Sequence, residues 1–258
     1  MSDYCIINGE LKTSCELADS HIISGHSIYE VLRIVNGKPA FFNAHISRLI
    51  RSAALTKMQT PDAKKIYDGI IQLIKKSNKK VGNIEITVNN LDNWCIKYIP
   101  HFYPTNLQYK TGVSCKFYNA LRKNPNAKVK RVKLRQSAGD FIQKNEIYEA
   151  IYEQNGEISE GSKSNIFFIR GNQLFTPPAG LVLEGITRQI VINIANEVNL
   201  SIHETNIYRK DIINFQAAFL TGTSPGILPI SSLEQQKFDV SNSSLRLLMI
   251  EYEKKLAH

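Results

Sequence analysis

The 29-residue run from Glu160 to Arg188, EGSKSNIFFIRGNQLFTPPAGLVLEGITR, constrains the fold more tightly than any other part of the chain. It sets out in fixed order an acidic residue, an Asn, a β-hairpin turning at Gly171-Asn172, and a helix opening at Gly185-Ile186-Thr187-Arg188. Such a segment carries a carboxylate at its head and an array of first-turn backbone N–H groups at its tail. The carboxylate can hold a protonated ring nitrogen. The helix start can hold a phosphate, because its N–H groups lack intrahelical partners and carry partial positive charge.

Around that run the chain alternates strands and helices. Residues 4–8 (YCIIN) begin a strand, and Ile28–Val35 and Lys38–Phe42 form a hairpin about Asn36-Gly37. Asn43 is expected to cap a helix whose apolar face is Ile46, Leu49, Ile50 and Ala53. A second helix follows Thr60-Pro61-Asp62, with the proline where its missing donor costs nothing, and carries the stripe Ile66, Ile70, Ile71 and Ile74. Strands at 84–89 and 94–99 complete a small α/β domain over residues 1–103. Two prolines and an absence of periodicity over Pro100 to Asn106 mark an interdomain connection, with the linker placed at 104–111. The larger domain, 112–258, is strand-rich: 113–118, 148–153, 157–159, 165–169, 173–176 and 217–220, with helices at about 135–145, 187–198 and 242–256 and a turn near 209–214.

Composition excludes several function classes. With 258 residues, 43% of them hydrophobic, the chain can bury one large or two modest cores. No apolar run reaches membrane-span length and the N-terminus lacks a secretory pattern, so a cytoplasmic protein with no membrane partner is expected. Cys5, Cys15, Cys95 and Cys115 show no paired spacing; free thiols are expected, and no metal site. The net charge of +9 raises nucleic acid as a partner. Its main clusters, Lys75 to Lys80 and Lys128 to Arg135, lack interleaved aromatics for base stacking, so none is expected.

One compact ligand combines a pyridine nitrogen with a phosphate: pyridoxal 5′-phosphate (PLP). PLP chemistry needs a lysine amine, an acid at the ring nitrogen, a phosphate cup and a contact on the ring face. The run also resembles the class IV aminotransferase signature, through Glu160, Ser162, Asn165, Ile166, Phe167, Leu174, Thr176, Leu183, Gly185, Ile186 and Arg188. The chain is thereby similar to the fold-type IV PLP enzymes, the group of D-amino-acid and branched-chain aminotransferases and aminodeoxychorismate lyase, from about Ile6 to Ile230. The resemblance implies an α/β fold of two domains, a small N-terminal one and a larger strand-rich C-terminal one, with the cofactor between them, and a homodimer. Glu160 is then the ring-nitrogen partner; its plain alternative is a solvated hairpin glutamate.

Four lysines precede Glu160 at plausible spacing: Lys128, Lys130, Lys133 and Lys144. In the D-amino-acid enzymes a Tyr-Glu-Ala-Ile strand lies twenty residues after the Schiff-base lysine and twelve before the acid. Tyr148-Glu149-Ala150-Ile151 meets both spacings with Lys128. The residues that follow, Val-Lys-Arg-Val-Lys, depart from the family's polar and apolar pattern and leave Lys130 as a rival.

The resemblance also implies a phosphate cup. Arg48, within His45-Ile-Ser-Arg48-Leu49, matches the family's His-x-x-Arg-Leu, and a guanidinium can grip phosphate with two parallel bonds. His45 is read as structural. Ile186 and Thr187 offer helix-start N–H groups, and Gly222 and Thr223 close the cup. Leu183 packs on the pyridine face or is a plain core leucine. For substrate, Gly25, Tyr29 and Glu30 keep part of a family motif, and Tyr29 is expected to face the substrate carboxylate. Ile99-Pro100-His101 keeps the His of an Arg-x-His carboxylate trap and loses its Arg, so His101 is a substrate candidate and D-specificity is not assigned.

The expected activity is amino-group exchange between an amino acid, with branched-chain and other aliphatic donors as the default, and a 2-oxo acid. The alternative is 4-amino-4-deoxychorismate lyase, which eliminates pyruvate to give 4-aminobenzoate. Those lyases often carry Thr in the place of Glu30, which disfavours that alternative.

Overall fold

A computed structural model describes residues 4–13, 26–59, 62–89, 93–122 and 125–257. Cys15, Gly25 and Pro61 lie outside them. The chain divides into two compact units: Met1–Phe102 with Ala127–Lys130, and Tyr103–Asn126 with Arg131–His258.

In the first unit, β1 (Tyr4–Ile7), β2 (Glu10–Thr13), β3 (Ser27–Val35), β4 (Lys38–Pro39), β5 (Gly82–Asn89) and β6 (Trp94–Ile99) form one antiparallel sheet. Their order is β2-β1-β6-β5-β3-β4. Asn36 and Gly37 both take positive φ, 51° and 78°, as a two-residue hairpin turn of primed type requires. Helices α1 (Phe42–Thr56) and α2 (Ala63–Ser77) follow. The Asp62 side chain caps α2 by accepting from the Lys64 N–H. Residues 66, 70, 73 and 74 recur at helical spacing, so α2 buries one stripe of Ile and Leu. Alternate strand residues supply the other half of the core: Ile6, Ile28, Leu32, Ile34, Ile84, Ile86, Val88 and Ile96.

Three expectations shift here, the first being that Ile50, expected on the apolar face of α1, is 46% exposed while Ile46, Leu49 and Ala53 are buried. Helix α1 starts at Phe42 and is preceded by Phe41 in the left-handed region with φ 53°, so Asn43 lies inside the first turn and caps nothing. The strand expected over 38–42 stops at Pro39, which pairs with Ile34, because the chain turns there into α1.

The second unit carries a ten-stranded sheet. It is built from β7 (Val113–Asn119), β8 (Glu149–Gln154), β9 (Glu157–Gly161), β10 (Asn165–Arg170), β11 (Gln173–Thr176), β12 (Ser201–Glu204), β13 (Ile207–Tyr208), β14 (Ala217–Gly222), β15 (Gly226–Leu233) and β16 (Gln236–Lys237). The path runs β12-β11-β10-β14-β15-β7-β8-β9-β13, with β16 on β15. β9 and β10 are consecutive in the chain yet far apart along this path. The sheet therefore curls until they meet, and the Gly161 N–H donates to the Ser164 carbonyl at 2.8 Å. Its core face is apolar, with Ile151, Ile166, Phe168, Leu220, Leu228 and Ile230 fully buried. On the opposite face Phe167 and Phe219 stack with centroids 5.1 Å apart.

Within 104–111, residues 104 and 105 are irregular and a helical turn follows. Asn106–Thr111 form a short helix, α3, opened by a capping box in which Thr105 and Gln108 exchange bonds. Helix α4 spans Val132–Asn145, starting earlier than expected; α5 spans Ile186–Glu197 and α6 Ser243–Ala257. Strand β15 carries Pro229, a residue uncommon in a strand with neighbours on both sides. It nonetheless pairs with β14, where Phe219 faces Pro229, and with β7. Ala127–Lys130 departs from expectation: it returns to the first unit from within a stretch expected to belong wholly to the second. No helix among the described residues is long and apolar enough to cross a membrane.

Candidate active site

The first unit fixes Lys128 through its backbone. Tyr29 N–H donates to the Lys128 carbonyl and Lys130 N–H to the Ser27 carbonyl, both at 3.0 Å, around a bridge between Ile28 and Val129. Lys128 N–H donates to Ser52 Oγ of α1 at 3.1 Å. The segment is extended, so side chains alternate. Val129 packs into the core, while Lys128 and Lys130 both emerge beside Tyr29. The Lys128 Nζ stands 4.8 Å from the Tyr29 ring centroid. The Lys130 Nζ is 2.9 Å from Glu85 Oε1. Both amines thus lie over the ring of the buried Tyr29, with Lys130 also ion-paired to Glu85.

Arg48 is also buried, but its fork meets a partner that sequence reasoning had not assigned. Its Nε and Nη2 donate to the two oxygens of Glu30, each at 2.7 Å, and His45 Nδ1 lies 2.8 Å from Glu30 Oε2. Glu30 points to the helix-covered face of β3, between Ile28 and Leu32, which puts a carboxylate in an apolar core. That requires charge and donors at close range. Residues 45 and 48, three apart on α1, share the facing side and provide them. Burial alone would raise the Glu30 pKa; Arg48's charge and the bonds from Arg48 and His45 outweigh it and hold the carboxyl well below the usual range. Burial lowers the His45 pKa despite Glu30, so the imidazole is neutral near pH 7 and donates Nδ1–H.

His101 is not brought to Tyr29 within the unit. Tyr29 pairs with Thr87, which pairs with Cys95. Ile99 is four residues farther along β6, roughly 13 Å, and His101 lies beyond it, its Nδ1 3.4 Å from the Ile99 carbonyl.

In the second unit the signature residues converge on Asn165. Glu160, on β9 and 2% exposed, accepts the Leu183 N–H on Oε2 at 3.0 Å. Asn165 Nδ2 donates to the Leu183 carbonyl at 2.9 Å and reaches the same Glu160 oxygen at 3.5 Å. A Cβ on Gly185 would collide with Asn165 Oδ1, so only glycine lets the start of α5 come this close. Thr221 pairs with Asn165 across β10 and β14, which brings Gly222 alongside. Gly222 lies next to the Lys163 carbonyl, and Thr223 follows in the same half-buried loop. Ile186 and Thr187 are buried in the first turn of α5, which has no side-chain cap and no acidic residue. Glu160, Leu183, Ile186, Thr187, Gly222 and Thr223 therefore share one end of this sheet.

Two further residues complete this end. Glu149 is buried and accepts five bonds: Ala150 N–H, Ser162 N–H and Ser162 hydroxyl on Oε1, Lys163 N–H and Ser164 hydroxyl on Oε2, at 2.6–3.3 Å. It pins the turn that joins Glu160 to Asn165. Arg122 Nε comes within 2.7 Å of Glu160 Oε1, with only 10% of its side chain exposed. That approach lies off the N–H direction, so the attraction is Coulombic rather than a directed bond. Glu149 was legible in Tyr-Glu-Ala-Ile only as a spacing marker; Arg122 had no sequence signal.

Comparison with known proteins gives the family and the fold. The model for amino-transferase class IV matches residues 27–233, and the chain belongs to that family. A D-alanine aminotransferase of Listeria monocytogenes is 27% identical over 81% of this chain and 79% of its own. Among solved structures, the branched-chain amino acid aminotransferase of Escherichia coli superposes with TM-score 0.88 at 22% identity, covering 99% of this chain and 95% of that one. A candidate 4-amino-4-deoxychorismate lyase of Legionella pneumophila gives 0.83 at 23% identity, covering 92% and 94%. The fold is that of the fold-type IV enzymes.

Both buried carboxylate clusters are open to measurement. Replacing Glu149 with Ala strands two serine hydroxyls and the Lys163 N–H, at a cost of about 3 kcal/mol or more. Urea unfolding measures it, and a loss under about 1 kcal/mol contradicts the pinning role. The second test concerns pH. His45 binds its proton more weakly folded than unfolded, so stability falls as pH drops below about 6.5, by at most ~1.4 kcal/mol per unit. Glu30, held ionised when folded, adds to the loss below about 4.3. Unfolding from pH 7 to 5 should show a slope that His45→Gln flattens; an unchanged slope contradicts the buried neutral imidazole.

Proposed function

We propose that the protein is a PLP-dependent aminotransferase that moves an amino group between an amino acid and a 2-oxo acid, acting as a homodimer in the cytoplasm. The observation that carries the reading is the buried Glu160 carboxylate, fixed on one oxygen by the Leu183 N–H beside a helix start with no side-chain cap. The residues fit PLP. A buried carboxylate suits a ring nitrogen, the first turn of α5 suits a phosphate, and the Thr221 hydroxyl, buried with no bond partner among the described residues, lies at the same end. When bound, PLP supplies an aldehyde that condenses with amines and a ring that takes up electrons from the Cα bond.

The chain's residues then take these roles. Lys128 supplies the amine that ties the cofactor and afterwards moves a proton at the substrate Cα. Glu160 keeps the ring nitrogen protonated. Ile186 and Thr187 give backbone N–H groups to the phosphate, with Gly222, Thr223 and Arg48 as the rest of the cup. Glu30 sets the angle of the Arg48 fork. Leu183 bears on the ring face. Tyr29, under the Lys128 ammonium, faces the substrate, and His101 remains a substrate candidate from the family pattern alone.

Branched-chain and other aliphatic amino acids are the proposed donors. The retained Glu30 and its buried arginine favour the transferase over 4-amino-4-deoxychorismate lyase. PLP-loaded protein should lose its visible band on mixing with one or more D- or L-amino acids and regain it with a 2-oxo acid. It should release no pyruvate from 4-amino-4-deoxychorismate. Pyruvate release without amino transfer overturns the transferase reading in favour of the lyase.

A further inference from the structure

Under the reading above Lys128 accounts for one of the two lysines beside Tyr29; the other has no role yet. Lys130 is two residues on in the same extended segment, about 7 Å farther along the backbone, and projects on the same side. Its Nζ is 5.9 Å from the Tyr29 ring centroid and 2.9 Å from Glu85 Oε1. Glu85 and Thr87 share the sheet face that carries Tyr29, since Tyr29 pairs with Thr87 and Val31 with Glu85. The Thr87 hydroxyl donates to the same Glu85 oxygen at 3.2 Å. The Lys130 and Glu85 side chains are 19% and 13% exposed. A pair so far out of water is costly to keep unless its charges are used or well satisfied.

In an amino acid the carboxylate is two bonds from the nitrogen that is exchanged. A donor whose nitrogen meets the Lys128 amine must place its carboxylate within a few ångströms of that amine. The chain lacks the arginine of the family's Arg-x-His trap: Ile99 stands there. Lys130 is the cation that shares a ring with Lys128 on the same face. Resting on the proposed function, we infer that Lys130 is the substrate-carboxylate grip and specificity residue of this enzyme, with Glu85 and Thr87 as the latch that holds its ammonium beside Tyr29. A carboxylate-bearing donor displaces or shares Glu85 at Nζ. The substrate class is an α-amino acid, and a plain amine is a poor donor.

The test pairs each amino acid with its decarboxylated amine, such as leucine with 3-methylbutylamine and alanine with ethylamine, on PLP-loaded wild type, Lys130→Met and Lys130→Arg. A non-reactive carboxylate, 4-methylpentanoate, is titrated against the visible band. Lys130→Met should keep the visible band, raise KM for the amino acid about 10- to 100-fold, the range for one lost charge-assisted bond, weaken 4-methylpentanoate to the same extent, and leave the amines within about twofold. Lys130→Arg should retain most of the discrimination. Equal effects on acids and amines, or none on either, overturn the inference and leave the aminotransferase reading standing. Loss of the band in Lys130→Met overturns it too, by giving Lys130 the role assigned to Lys128. A wild type that forms no band with PLP contradicts the parent reading and this one together.

Discussion

Two backbone hydrogen bonds, Tyr29 N–H to Lys128 and Lys130 N–H to Ser27, fix the direction in which the Lys128 and Lys130 side chains point. They hold residues 128–130 extended against β3, and an extended chain turns alternate side chains to opposite faces. Shift that register by one residue and Val129 leaves the core while both lysines enter it. The apolar core against Val129 therefore enforces the chemistry of its neighbours. Ser52 adds a third tie from α1, so one helix holds both the Lys128 backbone and, through Arg48 and His45, the Glu30 carboxylate.

The second unit uses a different device. No single strand could bring an acid, a leucine carbonyl, a helix start and a glycine loop to one place. Asn165 does so by reaching Glu160 and Leu183 with one amide and packing its oxygen against Gly185. Glu149 then pins the tight turn between Glu160 and Asn165 through five accepted bonds. The buried thiols take no part. Burial pushes Cys95 up to about 12 and raises Cys115 well above its ordinary value, so both stay protonated and inert.

Local signals carried much of this into the sequence. The Asn-Gly turn and the Ile66 to Ile74 stripe depend on neighbours close in the chain, the 160–188 run is one continuous segment, and the structure contains the turn, the stripe and the hairpin and helix start of the run. What depended on tertiary partners was illegible. Pro229 in a two-sided strand, the return of 127–130 to the first unit and the approach of Arg122 to Glu160 arise from contacts between distant segments. Phe41 took over the start of α1 from Asn43 because the hairpin ends in a left-handed residue, a conformation that a phenylalanine does not advertise. Arg48 was readable as an inward cation; that Glu30 occupies its fork was not, since strand and helix are eighteen residues apart.

The proposed function turns on which amine would carry the cofactor. Borohydride reduction of PLP-loaded protein, followed by proteolysis and mass spectrometry, locates the phosphopyridoxyl group directly. A modified peptide with the added mass on Lys128 is the predicted result. The same mass on Lys130, or on no lysine of the 127–135 segment, contradicts it.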